Sequence, residues 1–146
     1  QHDLAAVTDF LDQAHHNPQA LVCGYPIYDQ TVPLSRLWGR ELTNFWVHVN
    51  TRSKALRDAM CGFRVYPLAQ TLPVLPSVKT RRMDFDPDIV VRLIWAGVTV
   101  INRPVRVTYP KDGISHFRGF SDNMRISRLH AGHFCTMLLR RMGLAK

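Results

Sequence analysis

The sequence has few cysteines, few acidic residues and no long apolar run. The three cysteines, Cys23, Cys61 and Cys135, form no Cys-x-x-Cys pair, which excludes a zinc ribbon and a disulfide framework and fits a reducing compartment, the cytoplasm. No stretch approaches the roughly 20 apolar residues of a membrane-spanning helix, and the longest candidate, around 134–139, is short and followed by two arginines. A glycine-rich phosphate loop is also absent from the sequence.

The scarcity of acidic residues leaves a strong excess of positive charge. Lys and Arg total 19 against 11 Asp and Glu, which gives a net charge of +8. Such a charge predicts attraction to the phosphates of lipids, nucleotides or nucleic acid, without distinguishing among them. With 146 residues and 46% apolar composition, the chain is long enough to form one packed domain or most of one.

Apolar spacing and end signals predict an alternation of helices and strands. The predicted order is a helix over 4–15, a strand over 20–23 ending at Gly24, a loop over 25–33, a helix over 35–56, an extended segment over 61–66, a helix over 86–96 closed by Gly97, a strand-rich segment over 98–109 and a helix over 121–143. Helices alternating with apolar strands indicate a layered α/β domain. We expect residues 1–120 to form this domain and residues 121–146 to add a basic amphipathic helix.

The last predicted helix has one apolar face, formed by Ile126, Leu129, His133, Phe134 and Met137. Such a helix either docks on the domain or lies in a membrane interface. Docking is the simpler interpretation, because the arginines at its C-terminal end also suit the helix dipole. His130 and Cys135, with His133, are possible metal ligands on this helix, but no fourth ligand is evident.

Arg36, Arg40 and Asn44 are spaced one helical turn apart and project from one side of the predicted helix. Two guanidinium groups and an amide suit the binding of a phosphate group, because arginine offers planar paired donors and stays charged. From spacing alone, a solvated basic face is the more common interpretation.

The segment Asp58-Ala59-Met60-Cys61-Gly62-Phe63-Arg64 places one carboxylate before a Gly-Phe-Arg turn. Taken alone, Asp58 is most simply a capping carboxylate at a helix end. The segment, however, resembles the Asp-x-x-x-Gly-Phe-Arg motif of family 2 glycosyltransferases, in particular the branch that includes dolichol-phosphate mannosyltransferases. In those enzymes the acidic residue faces the reacting sugar, and the glycine lets the backbone approach it.

Other segments resemble the same family in the same order. Gln1-His2-Asp3 is similar to the end of its Asp-x-Asp-x-Gln-His motif, which holds a divalent cation against the sugar-nucleotide diphosphate. Arg40 and Asn44 match the arginine and small polar residue that hold an acceptor lipid phosphate. The family often has a further arginine just after the preceding strand, where this chain has Cys23-Gly24-Tyr25.

Two later segments complete the resemblance. Asp84-Phe85-Asp86-Pro87-Asp88 is similar to an acidic and aromatic helix start, and we interpret its carboxylates as stabilising the helix N-terminus rather than as catalytic. Gly113-Ile114-Ser115-His116-Phe117-Arg118 is similar to a Gly-x-Ser-Lys stretch that closes over the diphosphate, with His116 in place of the lysine. Ser115, His116 and Arg118 are therefore expected on the diphosphate side.

The resemblance implies the C-terminal part of an incomplete GT-A three-layer sandwich that lacks its N-terminal nucleotide-binding strands. The implied enzyme is an inverting glycosyltransferase that uses a nucleotide-diphosphate sugar, Mg²⁺ or Mn²⁺, and a lipid or lipid-linked acceptor at the inner membrane surface. In this interpretation Asp58 is catalytic, Arg36, Arg40 and Asn44 bind the acceptor, Gly62, Phe63 and Arg64 line the active site, and Gln1 is a metal ligand.

Because the two aspartates of the metal motif would precede Gln1, we expect the isolated chain to be inactive. The competing hypothesis is a non-catalytic basic module that binds anionic lipid or nucleic acid. It explains the charge equally well, but not the ordered motifs, and the glycosyltransferase hypothesis expects no nucleic-acid partner. Nucleic-acid binding would weaken with salt and need no divalent metal.

Overall fold

A computed structural model of the protein describes residues 3–28, 32, 34–108 and 119–144. The elements within these ranges are α1 (Ala6–His16), β1 (Leu21–Tyr28), α2 (Leu34–Thr51), β2 (Arg64–Val65), α3 (Leu68–Thr71), a 3₁₀ turn (Leu75–Ser77), α4 (Phe85–Trp95), β3 (Val100–Val107) and α5 (Gly119–Arg141). The predicted α/β class is confirmed.

The three strands form one mixed sheet in the order β2-β1-β3. β1 pairs with β3 in parallel along its whole length, from Leu21 opposite Val100 to Tyr28 opposite Val107. β2 pairs with β1 in the antiparallel direction. The parallel pair requires a long crossover, and α2 and α4 lie within it.

Helices cover both faces of the sheet. On one side, Leu21 and Cys23 of β1 pack with Val47 of α2 and with a fully buried run of α4, Ile89–Val91. On the other side, α1 contributes Phe10, which is 1% exposed. The consecutive residues Leu21, Val22 and Cys23 of β1 are all fully buried, so both faces of this central strand are covered.

β1 is longer than predicted, and the loop expected over 25–33 is wrong for residues 25–28. Gly24 does not end the strand, because β3 supplies partners beyond it. A Cβ at Gly24 would lie 2.9 Å from the carbonyl oxygen of Phe63, so glycine is needed for a close approach between β1 and β2. Pro104 is accommodated because β3 lies at the edge of the sheet.

The helix ends differ from the prediction in one place and agree in another. α2 ends at Thr51 rather than near residue 56, because Arg52 adopts a left-handed conformation with φ of 52°. α4 ends at Trp95, and Gly97 closes it as predicted, because its φ of 82° favours glycine. The N–H of Val98 then donates to the carbonyl of Leu93 and closes the helix end.

α5 docks on α2 and α4 through a buried polar face. Ile126 and His133 are buried as predicted, but so are Asp122 and His130, whereas Phe134 is 36% exposed. The apolar pattern misses this because the helix is held by polar contacts, among them a 3.4 Å contact between His130 Nδ1 and Asn50 Nδ2. None of the described helices is long and apolar enough to cross a bilayer.

Candidate functional site

The turn that follows α2 is organised by Asp58. Its Oδ1 accepts hydrogen bonds from the backbone N–H groups of Met60 (2.9 Å) and Cys61 (2.6 Å), and from Arg40 Nη1 at 2.7 Å. Asp58 is 4% exposed. The carboxylate therefore closes its own turn, as the capping interpretation expects, and also binds the arginine to which the resemblance assigns the acceptor.

Arg40 is held on two sides. Its guanidinium forms the ion pair with Asp58 and lies 5.6 Å from the centre of the Tyr28 ring, at the end of β1. Burial alone would lower the pKa of Arg40, but the charge and hydrogen bond of Asp58 outweigh burial and raise it. Arg40 is therefore a fixed and permanently charged group in the middle of α2.

Asn44, one helical turn after Arg40, binds the same turn. Its Oδ1 accepts the N–H of Ala59 at 2.9 Å, and the residue is 7% exposed. The predicted position of Arg40 and Asn44 on one side of α2 is thus confirmed. Both side chains contact residues 58–61 and do not face bulk solvent.

Arg64 links the turn to the start of α4. It donates to the carbonyl oxygen of Ala59 (2.7 Å) and to Oδ1 of Asp86 (3.1 Å), and its side chain is fully buried. Burial raises the pKa of Asp86 and outweighs the opposing effect of Arg64, and the Asp86 side chain remains 32% exposed. We call the set Arg40, Asn44, Asp58, Arg64 and Asp86 the arginine–aspartate cluster.

Asp86 is the member of this cluster that the sequence interpretation missed. It was expected only to stabilise the N-terminus of α4, and it does lie in the first turn. A signal was available, because a buried arginine in the Gly-Phe-Arg segment requires a carboxylate partner and the next acidic residues along the chain are Asp84, Asp86 and Asp88.

Gly62 and Phe63 take different positions. Gly62 is exposed, and a Cβ there would lie 3.7 Å from the nearer carboxylate oxygen of Asp86, so the backbone is open beside the cluster. Phe63 packs edge-to-face on Phe10 of α1, with ring centres 4.7 Å apart. Phe63 is therefore held in the packing between α1 and the sheet.

For five predicted site residues the structure describes no side chain. Gln1, Ser115, His116 and Arg118 lie outside the described residues, as does the side chain of Arg36, whose backbone lies in α2. The metal prediction depends on Gln1. Within the described ranges, no group of three or more His, Cys, Asp or Glu side chains is arranged to hold a metal ion.

The two buried histidines of α5, His130 and His133, contact α2 and α4. His133 Nε2 lies 2.9 Å from Asp88 Oδ1, whereas Cys135 is exposed. The buried polar atoms without a partner in the described structure include His130 Nε2 and His133 Nδ1. These residues connect α5 to the domain.

An open groove of about 550 Å³ runs beside the arginine–aspartate cluster and meets it at Asn44. Its lining comes from α2 and the segment after it: Glu41, Asn44, Phe45, His48, Val49, Arg52, Ser53 and Lys54. Of the cluster residues, only Asn44 lines this groove, so the groove is not centred on the cluster.

Comparisons with protein-family models, with curated proteins and with solved structures give no match to this chain.

Proposed function

We propose that this chain forms the acceptor side of an inverting glycosyltransferase that resembles family 2. Four of its predicted site residues, Arg40, Asn44, Asp58 and Arg64, are up to 24 positions apart in sequence and gather in one cluster. This convergence is the observation that carries the proposal. A solvated basic face does not require Arg40 and Asn44 to contact residues 58–61.

In the proposed reaction, an acceptor bound at the cluster attacks the anomeric carbon of a nucleotide-diphosphate sugar, and the nucleoside diphosphate leaves from the opposite face. Arg40 and Asn44 hold the acceptor, and Asp58 orients or deprotonates its attacking group. The resemblance also implies Mg²⁺ or Mn²⁺ on the donor diphosphate. The described residues offer no ligand set for it, so the steps assigned to them involve the acceptor alone.

We also propose that residues 1–120 correspond to the C-terminal portion of a GT-A fold and that residues 121–146 follow it as a basic helix. The short strand β2 lies at one edge of the sheet. An edge strand has unpaired backbone groups that a further strand would bind. The nucleotide-binding strands implied by the resemblance would extend the sheet there.

A membrane-associated acceptor agrees with the exposed apolar side chains of α2. Leu34, Trp38, Leu42 and Phe45 are each more than half exposed and follow a helical spacing. Phe45 contacts Trp46, which in turn contacts Phe134 of α5, so this apolar surface continues between the two helices. With a net charge of +8, the protein suits the inner, anionic face of a membrane.

The proposal is tested by measuring nucleoside diphosphate release by the full-length gene product with a panel of nucleotide sugars. The assay contains dispersed bacterial-type lipids and is run with Mg²⁺, with Mn²⁺ and with EDTA. We expect lipid-dependent release that requires metal. No release under any condition, together with nucleic-acid binding that weakens with salt, would instead establish the basic binding module.

A further inference from the structure

Three polar side chains of the arginine–aspartate cluster each have at least one polar atom without a hydrogen-bond partner in the described structure. Arg40 uses Nη1, Asn44 uses Oδ1 and Asp58 uses Oδ1 for contacts within the protein. No hydrogen bond within the described structure engages Arg40 Nε and Nη2, Asn44 Nδ2 or Asp58 Oδ2, and none of these atoms is enclosed. Asn44 and Asp58 are both more than nine-tenths buried, so these free atoms belong to fixed side chains.

The charges of the described cluster cancel. Arg40 is neutralised by Asp58 at 2.7 Å, and Arg64 is neutralised by Asp86 at 3.1 Å. A phosphate brought to Arg40 would lose hydration and also meet the second oxygen of Asp58, and no excess positive charge of the described cluster compensates for this. The free atoms instead offer donors and an acceptor together.

A hydroxyl group matches this set, because it is both a donor and an acceptor. Its hydrogen would bind Asp58 Oδ2, and its oxygen would accept from Arg40 or Asn44. A phosphate dianion has acceptors only and would leave Asp58 Oδ2 facing a like charge.

We infer that the group glycosylated at this site is an uncharged hydroxyl, not the lipid phosphate that the resemblance implies. The inference rests on the proposed function and names its acceptor class. In the reaction, the hydroxyl oxygen forms a bond to the anomeric carbon of the donor. The bond from that carbon to the diphosphate oxygen breaks, the electron pair leaves with the nucleoside diphosphate, and the hydroxyl proton passes to Asp58 Oδ2.

The test compares a long-chain alcohol with the alkyl phosphate of the same chain as acceptors for the full-length gene product. Asp58→Asn keeps a carbonyl oxygen for the N–H groups of Met60 and Cys61 but removes the charge, and melting temperatures check that it folds. Asp9→Asn is the matched control, because Asp9 forms an exposed ion pair with Arg103 on α1 and β3.

We expect the alcohol to be the better acceptor by at least about tenfold in kcat/KM. Asp58→Asn should reduce transfer to the alcohol by about 100-fold and should tighten binding of the alkyl phosphate, because a like charge is removed. Asp9→Asn should change neither quantity. Preferred transfer to the phosphate, or an Asp58→Asn variant that uses the alcohol normally, overturns the inference.

Failure of the proposed function is recognised separately, as the absence of transfer from any donor to either acceptor by the unmutated protein. In that case, the alkyl phosphate is titrated into the unmutated protein and into Asp58→Asn, and calorimetry or NMR measures whether the charge of Asp58 opposes its binding. Tighter binding by Asp58→Asn than by the unmutated protein supports the inference, and equal or weaker binding rejects it.

Discussion

His133 of α5 and Asp88 of α4 form a buried contact of 2.9 Å, and both side chains are at most 3% exposed. The same carboxylate accepts from Arg92 Nε at 2.6 Å and from Thr80 Oγ1 at 2.9 Å. Burial raises the pKa of Asp88, but the hydrogen bonds from His133, Arg92 and Thr80 outweigh burial and hold the pKa below its usual value. One carboxylate thus joins α5, α4 and the segment before α4.

Replacing this carboxylate should be strongly destabilising. Asp88→Ala leaves buried donors without an acceptor, and we expect the free energy of unfolding to fall by about 3–5 kcal/mol. Urea denaturation measures the loss. Asp12→Ala, at an exposed position of α1, is the control and should stay within about 0.5 kcal/mol of the unmutated protein. Equal stability of the two variants would show that the contact does not hold α5.

The Asp88 network illustrates what the sequence could and could not predict. The helical spacing of Arg40 and Asn44 and the end signals of α4 are local, so the sequence predicted them correctly. Arg92 lies one helical turn after Asp88, which is a local spacing, but His133 lies 45 positions away and no local pattern pairs it with Asp88. For the same reason β1 was predicted too short, because its second half depends on pairing with β3.

Stability should also depend on His130. Burial, assisted by the neighbouring His133, lowers the pKa of His130 from 6.5 to about 4. Because the folded pKa lies below the unfolded one, the unfolded state binds more protons between these values, and stability falls as pH drops through this window. Titration of this one group changes the free energy of unfolding by at most about 1.4 kcal/mol per pH unit.

The difference between two variants isolates this effect from other titrating groups. His130→Gln should flatten the dependence of unfolding free energy on pH between about 6.5 and 4, as measured by urea denaturation at several pH values. His15→Gln, at the exposed end of α1, should keep the slope of the unmutated protein. An unchanged slope in the His130 variant would mean that this histidine is not the proton-binding group.

The close approach at Gly24 makes a sharp prediction about packing. A Cβ there would lie 2.9 Å from Phe63 O, a backbone atom, and 3.1 Å from Cys61 Sγ. Gly24→Ala should therefore destabilise the protein by about 1–3 kcal/mol. Gly39→Ala is the matched control, because no neighbouring atom lies within 4 Å of its Cβ position on α2, and it should stabilise by up to about 1 kcal/mol. A neutral Gly24 variant would show that β2 moves freely relative to β1.

Membrane association should depend on the exposed apolar surface of α2. Trp38 is 77% exposed, and Trp38→Ser should weaken binding to vesicles that contain anionic lipid by about tenfold, because a large apolar side chain no longer enters the interface. Vesicle co-sedimentation at low and high salt measures the change. Leu11→Ser, on the exposed side of α1, is the control with the same kind of change at another surface. Similar losses in both variants would argue against α2 as the contact surface.

Arg40 should affect the acceptor and not the donor. Arg40→Ala removes the fixed guanidinium that Asp58 and Tyr28 hold, and the loss of a hydrogen bond to a charged group is worth about 1.5–3 kcal/mol. We therefore expect the KM for the acceptor to rise by about tenfold or more at an almost unchanged KM for the nucleotide sugar. Steady-state kinetics of the full-length gene product distinguish the two constants. Arg103→Ala, which removes an exposed ion pair with Asp9, should change neither. If the donor constant rose instead, Arg40 would belong to the diphosphate side, and the acceptor assignment of α2 would be wrong.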